Sequence, residues 1–320
     1  MIRLFSSALF LLTLAASAFA QGGYAGAFLR MGVAARSEAM GRAYVALPQG
    51  SEAAFFNPAA TAFLSETEIS TSFRTLGLDR SFAYIGLATA LHPPADSTGR
   101  RPLQGGVALS WIHAGVDNIE ARDFDGERYA TLSASENAFA LAFALRPHEK
   151  LSVGITGRFV IHRLPGVKQD NGALSANAFG FDVGALLEPL PGIHVGAALR
   201  DLRLKYSWNT QDVYEQGSNE IDAFARGAVV GVAVNRPYSW LTLTADVEKR
   251  KFRDGVFRLG VQAAYQNVVQ LRAGLNDGSP TFGAGYRFEL LGHFAELHYA
   301  FVSHPDNLDS DHVFGWAFIF

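Results

Sequence analysis

The sequence predicts an all-β membrane protein, a transmembrane antiparallel β-barrel of about fourteen strands with a short helical plug at its N-terminal end. Three observations carry that reading. From about Thr67 onward, bulky apolar residues alternate with small or polar ones at a period of two. After the first twenty residues no apolar run is long enough for a spanning helix, which needs roughly 20 residues. The chain also closes on an aromatic strand ending in Phe320.

Residues 1–20 read as a secretory signal peptide. Arg3 supplies the positive start, Leu4 to Leu14 a short apolar run, and Ala18-Phe19-Ala20 the small residues of a cleavage site. The mature chain is expected to begin at Gln21, outside the cytoplasm. The chain contains no cysteine, so neither disulfides nor a lipid-anchored cysteine is available. The formal net charge of −3 gives no basic footprint for nucleic acid.

The alternation is clearest at Asn137 to Leu145. There Phe139, Leu141, Phe143 and Leu145 point one way, and Ala138, Ala140, Ala142 and Ala144 the other. Leu151 to His162, Ala178 to Leu187, Phe257 to Tyr265 and Phe282 to Glu289 repeat the pattern. A soluble sheet would carry many Lys, Glu and Thr on its wet face. Here the second face is mostly Gly, Ala and Ser, and only 18% of the chain is charged. Bulky apolar residues outside and small or polar ones inside suit a lipid-facing barrel, whose strands must close to pair every backbone group.

Strands are expected to start near Thr67, Ser81, Gly105, Ser135, Lys150, Ser175, Gly192, Ala223, Ser239, Gly255, Val268, Pro280, Gly292 and Asp311. With the last strand ending in the periplasm, connections after even strands are short, as at Arg146–Glu149, Pro189–Pro191 and Gln266-Asn267. Several after odd strands are long and polar, notably Gly115–Ala134, Arg163–Leu174 and Asp201–Asp222. His92 to Gln104 breaks this parity. Tyr238, Trp240 and Tyr265 lie beside the short turns, where an interfacial aromatic girdle belongs. Phe314, Trp316, Phe318 and Phe320 share one face, and the terminal Phe320 resembles the signal read by the barrel assembly machinery.

Residues 21–66 do not alternate. Ser37 reads as an N-cap, with Ala39, Met40, Ala43, Tyr44 and Leu47 on one face of a short helix ending before Pro48. Ser51 reads as the cap of a second turn that stops near Asn57-Pro58. A fourteen-stranded ring is wider than side chains alone can fill, so this Gly/Ala-rich segment is expected to plug the lumen. The barrel itself is assigned to residues 67–320.

The plug segment also carries a family resemblance. Gly26-Ala27-Phe28-Leu29-Arg30-Met31-Gly32, with Arg36, Met40-Gly41 and Phe56-Asn57-Pro58-Ala59, resembles the start of the PorV/PorQ family. Arg42 departs from the pattern, standing where a second glycine is usual. That family is similar in fold to the FadL-type long-chain fatty-acid transporters, which also carry an Asn-Pro-Ala near the N-terminus. The resemblance implies a role in type IX secretion, binding secreted proteins at the outer membrane. The alternative is a FadL-like channel for small hydrophobic molecules. Phe55, Phe56 and Phe63 then either line an apolar pocket or pack the plug against the wall. Tyr206, Trp208 and Tyr214 of the 201–222 connection suit either a protein interface or the membrane girdle.

Catalytic and cofactor readings are weak. His293-Phe294-Ala295-Glu296-Leu297-His298 is not a His-Glu-x-x-His motif, and on a strand Glu296 and His298 share the face opposite His293. Asp306, Asp309 and Asp311 lack the spacing of a calcium loop. No Ser–His–acid arrangement sits at a recognisable motif. The expected protein is not an enzyme and uses no cofactor. Its partners are outer-membrane lipid, the assembly machinery and secreted proteins.

Overall fold

Alternation at period two turns successive side chains to opposite faces of a strand, and here that rule builds a wall with a lipid side and a lumen side. The computed structural model describes residues 24–94, 103–168, 172–211, 213, 216–251, 254–304 and 309–320. The expected signal peptide, Tyr214 and Asp306 lie outside them.

The strands are β1 (Glu68–Thr75), β2 (Arg80–Leu91), β3 (Gln104–Arg122), β4 (Arg128–His148), β5 (Leu151–Leu164), β6 (Leu174–Leu190), β7 (Ile193–Leu202) and β8 (Lys205–Asn209). They continue with β9 (Asn219–Ala223), β10 (Gly227–Val234), β11 (Leu241–Arg250), β12 (Val256–Tyr265), β13 (Val269–Asn276), β14 (Ser279–Leu290), β15 (His293–Val302) and β16 (Asp311–Ile319). Fourteen of them close into an antiparallel barrel. Each pairs with its neighbour in the chain, β7 pairs with β10, and β1 meets β16 from Glu68↔Ile319 to Thr75↔His312. The remaining two, β8 and β9, form a hairpin laid against β6 at Asn177↔Ser207. No barrel edge is left open, as a wall in hydrocarbon requires.

Burial follows the expected faces. Phe139, Leu141, Phe143 and Leu145 are exposed on the outer wall, whereas Ala138, Ala142 and Ala144 are buried within. Ser152, Thr156, Arg158, Asp182 and Gln262 also point inward and are buried. Tyr238, Trp240 and Tyr265 stand exposed near the short turns, the first two with ring centroids 5.8 Å apart. The barrel is membrane-embedded.

Two connections differ from expectation. The segment 115–134 is not a loop, because β3 and β4 run on as a hairpin that turns only at 123–127. Its residues are mostly exposed on both faces, so its few apolar side chains show no alternation, yet the backbone continues to pair through a bulge at Asn118, whose φ is 55°. The 201–222 connection contains the β8–β9 hairpin rather than irregular chain.

Candidate functional site: the plug and its seat in the barrel

Within the plug are a 3₁₀ turn at Ala27–Arg30, helix α1 (Ala35–Ala39), helix α2 (Ala53–Phe56) and a second 3₁₀ turn at Pro58–Phe63. Ser37 does not cap the first helix. Ala34 occupies the N-cap position, and Ser37 Oγ donates to the Ala34 carbonyl at 3.0 Å. The helix also ends well before Leu47. Gly41 adopts φ 61° and its N–H meets the Glu38 carbonyl at 3.0 Å, while the Arg42 N–H meets Ser37 at 2.9 Å. That pair of bonds is a Schellman stop, which a left-handed glycine permits. Ser51 likewise caps nothing; its hydroxyl lies 2.5 Å from Ser70 Oγ on the wall.

The wall receives the plug through backbone contacts. A Cβ at Gly41 would stand 2.6 Å from the Leu259 carbonyl oxygen and Leu275 nitrogen, so chain and wall touch there. Gly41 N–H donates to Thr281 Oγ1, which donates to the Ala39 carbonyl, both over 3.2 Å. Asp246 on β11 accepts the N–H groups of Tyr44 and Val45 at 2.8 and 3.0 Å. Asn57 Nδ2 donates to the carbonyls of Val45 (2.8 Å) and Ala185 (3.0 Å), and its Oδ1 accepts from the Ala59 N–H. Ser152 Oγ donates to the Ala59 carbonyl at 2.7 Å. These contacts satisfy backbone groups that the short helices leave open.

Two ionic clusters complete the seat. Arg36 reaches Glu68 at 3.0 Å, Glu296 at 3.4 Å and Glu52 at 3.6 Å, with His298 Nε2 at 3.0 Å. Toward the long-loop end, Arg74 on β1 contacts Glu38 at 2.8 Å and Asp311 at 2.9 Å, and Arg42 contacts Glu38 at 2.8 Å. Burial pushes the Glu52 carboxyl up to about 7, with Arg36 opposing and the nearby Glu68 charge reinforcing the rise. Burial also pushes Glu38 upward, but the guanidinium groups of Arg42 and Arg74 outweigh it and hold the group below its ordinary value.

Most of the residues carrying the family resemblance serve this seat. Gly26 (φ 71°) leaves room for the Phe224 ring, and Gly32 (φ 80°) lies over the Glu38 carboxylate. Phe28, Leu29 and Met40 are buried, Arg30 donates to the Ala25 carbonyl at 3.0 Å, and Pro58 opens the second 3₁₀ turn. Arg42 keeps the left-handed backbone, at φ 62°, that explains a glycine there.

Phe55 and Phe56 do not line an apolar pocket of ligand size; Phe55 borders only a void of about 10 Å³ among Ala108, Ile112, Ala138 and Ala142. Arg200 stacks over the Phe55 ring at 4.7 Å and the Phe56 ring at 5.8 Å, and Tyr44 packs on Phe56 at 5.3 Å. Phe63 is half-buried beneath the Arg146 guanidinium, 4.0 Å from its ring centroid. In the second hairpin, Tyr206 is buried and donates to Glu136 at 3.0 Å, and Trp208 packs on His162 at 5.1 Å. Both rings turn inward over the mouth rather than out toward a partner or lipid. Glu296 and His298 do share the lumenal face, 3.0 Å apart, while His293 packs on Phe320. Phe320 pairs with Thr67 through its backbone N–H at 2.9 Å.

Sequence reading missed Asp246, Arg74, Ser152 and Arg200. The available signal was polar residues on the small-residue face of a strand.

Two lumenal cavities are polar. One of about 400 Å³ opens near the short turns between Arg36, Gln262, Gln270, Arg287 and the plug residues Gln49 and Glu66. The other, about 80 Å³, lies at the long-loop side of Phe55 and Phe56. An apolar hollow of about 840 Å³ lies instead on the lipid side, among Ile85, Leu109, Trp111, Phe139, Leu141 and Phe179.

No family model and no curated protein matches the sequence. Solved structures do. The Pseudomonas putida toluene transporter TodX is 15% identical, with a TM-score of 0.57, covering 90% of this chain and 96% of its own. The Ralstonia pickettii toluene transporter TbuX, at 13% identity and a TM-score of 0.57, covers 90% and 97%. A Pseudomonas aeruginosa FadL homologue, at 13% identity and 0.52, covers 90% and 98%. The fold is that of the FadL-type barrels. At these identities the likeness concerns architecture alone.

Proposed function

We propose that this chain works in the outer membrane as a plugged, FadL-like channel admitting a small hydrophobic molecule. The fold supports this reading: a fourteen-stranded barrel matching nearly the full length of two toluene transporters. The signal-like start and the terminal aromatic strand support the location. The described lumen is packed around the plug, so passage requires the plug to move. Ala35 on α1 and Gly315 on β16 offer a lock, since a Cβ at Gly315 would lie 3.5 Å from that of Ala35, within disulfide reach. The native chain has no cysteine to interfere.

In cells carrying Ala35→Cys/Gly315→Cys, uptake of a labelled monoaromatic hydrocarbon should fall to the barrel-free level on oxidation and return on reduction. Wild-type uptake no greater than that of barrel-free cells would overturn the proposal.

A second reading, binding of secreted proteins in type IX secretion, follows from the PorV/PorQ resemblance. One observation favours it: among the described residues the two larger lumenal cavities are polar, and the motif residues are spent on holding the plug. On that reading the oxidised lock leaves co-purification of secreted proteins undiminished, and hydrocarbon uptake is absent throughout.

A further inference from the structure

Five arginines and three carboxylates, Glu248, Asp254 and Asp277, line the 80 Å³ cavity at the long-loop side of the plug. Arg30 and Arg42 come from the plug, and Arg200, Arg250 and Arg258 from the wall. Four of them meet acceptors nearby. Arg42 contacts Glu38 at 2.8 Å, Arg250 contacts Asp201 at 2.7 Å, Arg258 contacts Glu248 at 2.6 Å, and Arg30 donates to the Ala25 carbonyl.

Arg200 is different. It is only 7% exposed, and one Nη is used on the Phe55 carbonyl at 2.9 Å. Among the described residues no carboxylate lies within ion-pair distance of it, and its Nε is buried without a hydrogen-bond partner. A buried guanidinium with an unmade donor is costly, and a charge-assisted bond to an oxyanion is the strongest remedy. The guanidinium fork suits carboxylate and phosphate groups.

We infer that this cavity binds a small oxyanion, a carboxylate or phosphate group, with Arg200 as its main ligand. Such an ion bridges the wall arginines to Arg30 and Arg42 and so fastens the plug. The cavity has room for a few water-sized groups. Leu29, Phe55, Phe56 and Val256 close it against an alkyl tail. The anion is therefore a resident of the seat and not the transported molecule, and the inference stands whichever functional reading holds.

The test is calorimetric titration of the full-length, detergent-solubilised barrel with inorganic phosphate and, separately, with acetate, at matched ionic strength in chloride. Wild type should show saturable binding of at least one. Arg200→Gln should weaken it about tenfold or more, the loss of one charge-assisted bond. Asn276→Asp serves as a second variant: Asn276 lines the cavity and accepts from Arg258 Nε at 3.0 Å. An aspartate keeps that acceptor and adds a negative charge, so affinity should fall in a barrel that still folds. Binding of phosphate alone assigns a phosphate group, and of acetate alone a carboxylate. No saturable heat with either anion, or undiminished binding in Asn276→Asp, overturns the proposal.

Discussion

Arg36 donates to the Glu68 carboxylate over 3.0 Å, joining the plug to the strand at which the barrel closes on itself. Glu52 and Glu296 share the same guanidinium, so one side chain offsets part of the repulsion among three carboxylates. Removing one member of a buried ion pair leaves charge without compensation, at about 3–5 kcal/mol. In Arg36→Met, Glu52 and Glu68 lose this cation and Glu296 keeps Arg287 and His298. Small-solute leakage through the barrel should rise while heat-modifiability is retained. Leakage equal to wild type would show that other contacts hold the plug alone.

Gly41→Ala should also loosen the plug, through the backbone. The left-handed conformation alone costs an alanine about 1 kcal/mol, and the new Cβ would in addition meet wall backbone at 2.6 Å. Gly278→Ala provides the control. That residue has φ 85° at the tight β13–β14 turn, with nothing within 4 Å of an added Cβ. Protease sensitivity of the plug should increase clearly in the first variant and little in the second. Equal sensitivity would remove the case for close approach at Gly41.

The barrel was legible because lipid on one side and a packed lumen on the other impose a strict period. Strand starts expected at Ser81, Gly105 and Val268 fall at Arg80, Gln104 and Val269. The extended β3–β4 hairpin was not legible, since water on both faces removes the contrast that marks a strand. Nor were the plug's bonds, because Asp246 meets Tyr44 and Arg200 meets Phe55 from distant parts of the chain. The helix expected through Leu47 failed at Gly41, where a recognised motif residue was also a helix stop.

Orientation follows from the connections. The two-residue turns at 149–150, 191–192 and 291–292 lie at the end where Phe320 meets Thr67, and the two long hairpins at the other. A cysteine at Gly126 or at the exposed Gln216 should therefore react with a membrane-impermeant reagent on intact cells. One at Glu149 or Asn267 should react only after the outer membrane is opened. Labelling of both sets on intact cells would reverse or abolish this topology.

Deleting Phe320 should lower the yield of folded barrel, because its backbone bonds to Thr67 secure the closing seam and its ring ends the terminal aromatic face. Heat-modifiable barrel at wild-type abundance would argue against a role in assembly.

The plug should hold less firmly as pH rises through neutrality. Glu52 is buried, and its carboxyl is pushed from an ordinary 4.5 to about 7. Between those values the seated state binds more protons than the released state, in which Glu52 meets water. Stability of the seat is then lost as pH rises. The contribution is complete below about 4.5 and gone above about 7. Hydrogen exchange at the Gly41 amide, which meets the non-titrating Thr281 hydroxyl of the wall only when the plug is seated, reads this. Corrected for the intrinsic rate, protection should fall between pH 5 and pH 8 in the wild type. Glu52→Gln keeps a similar shape without the charge and should show a shallower fall. A dependence equally steep in Glu52→Gln would assign the titration to another group.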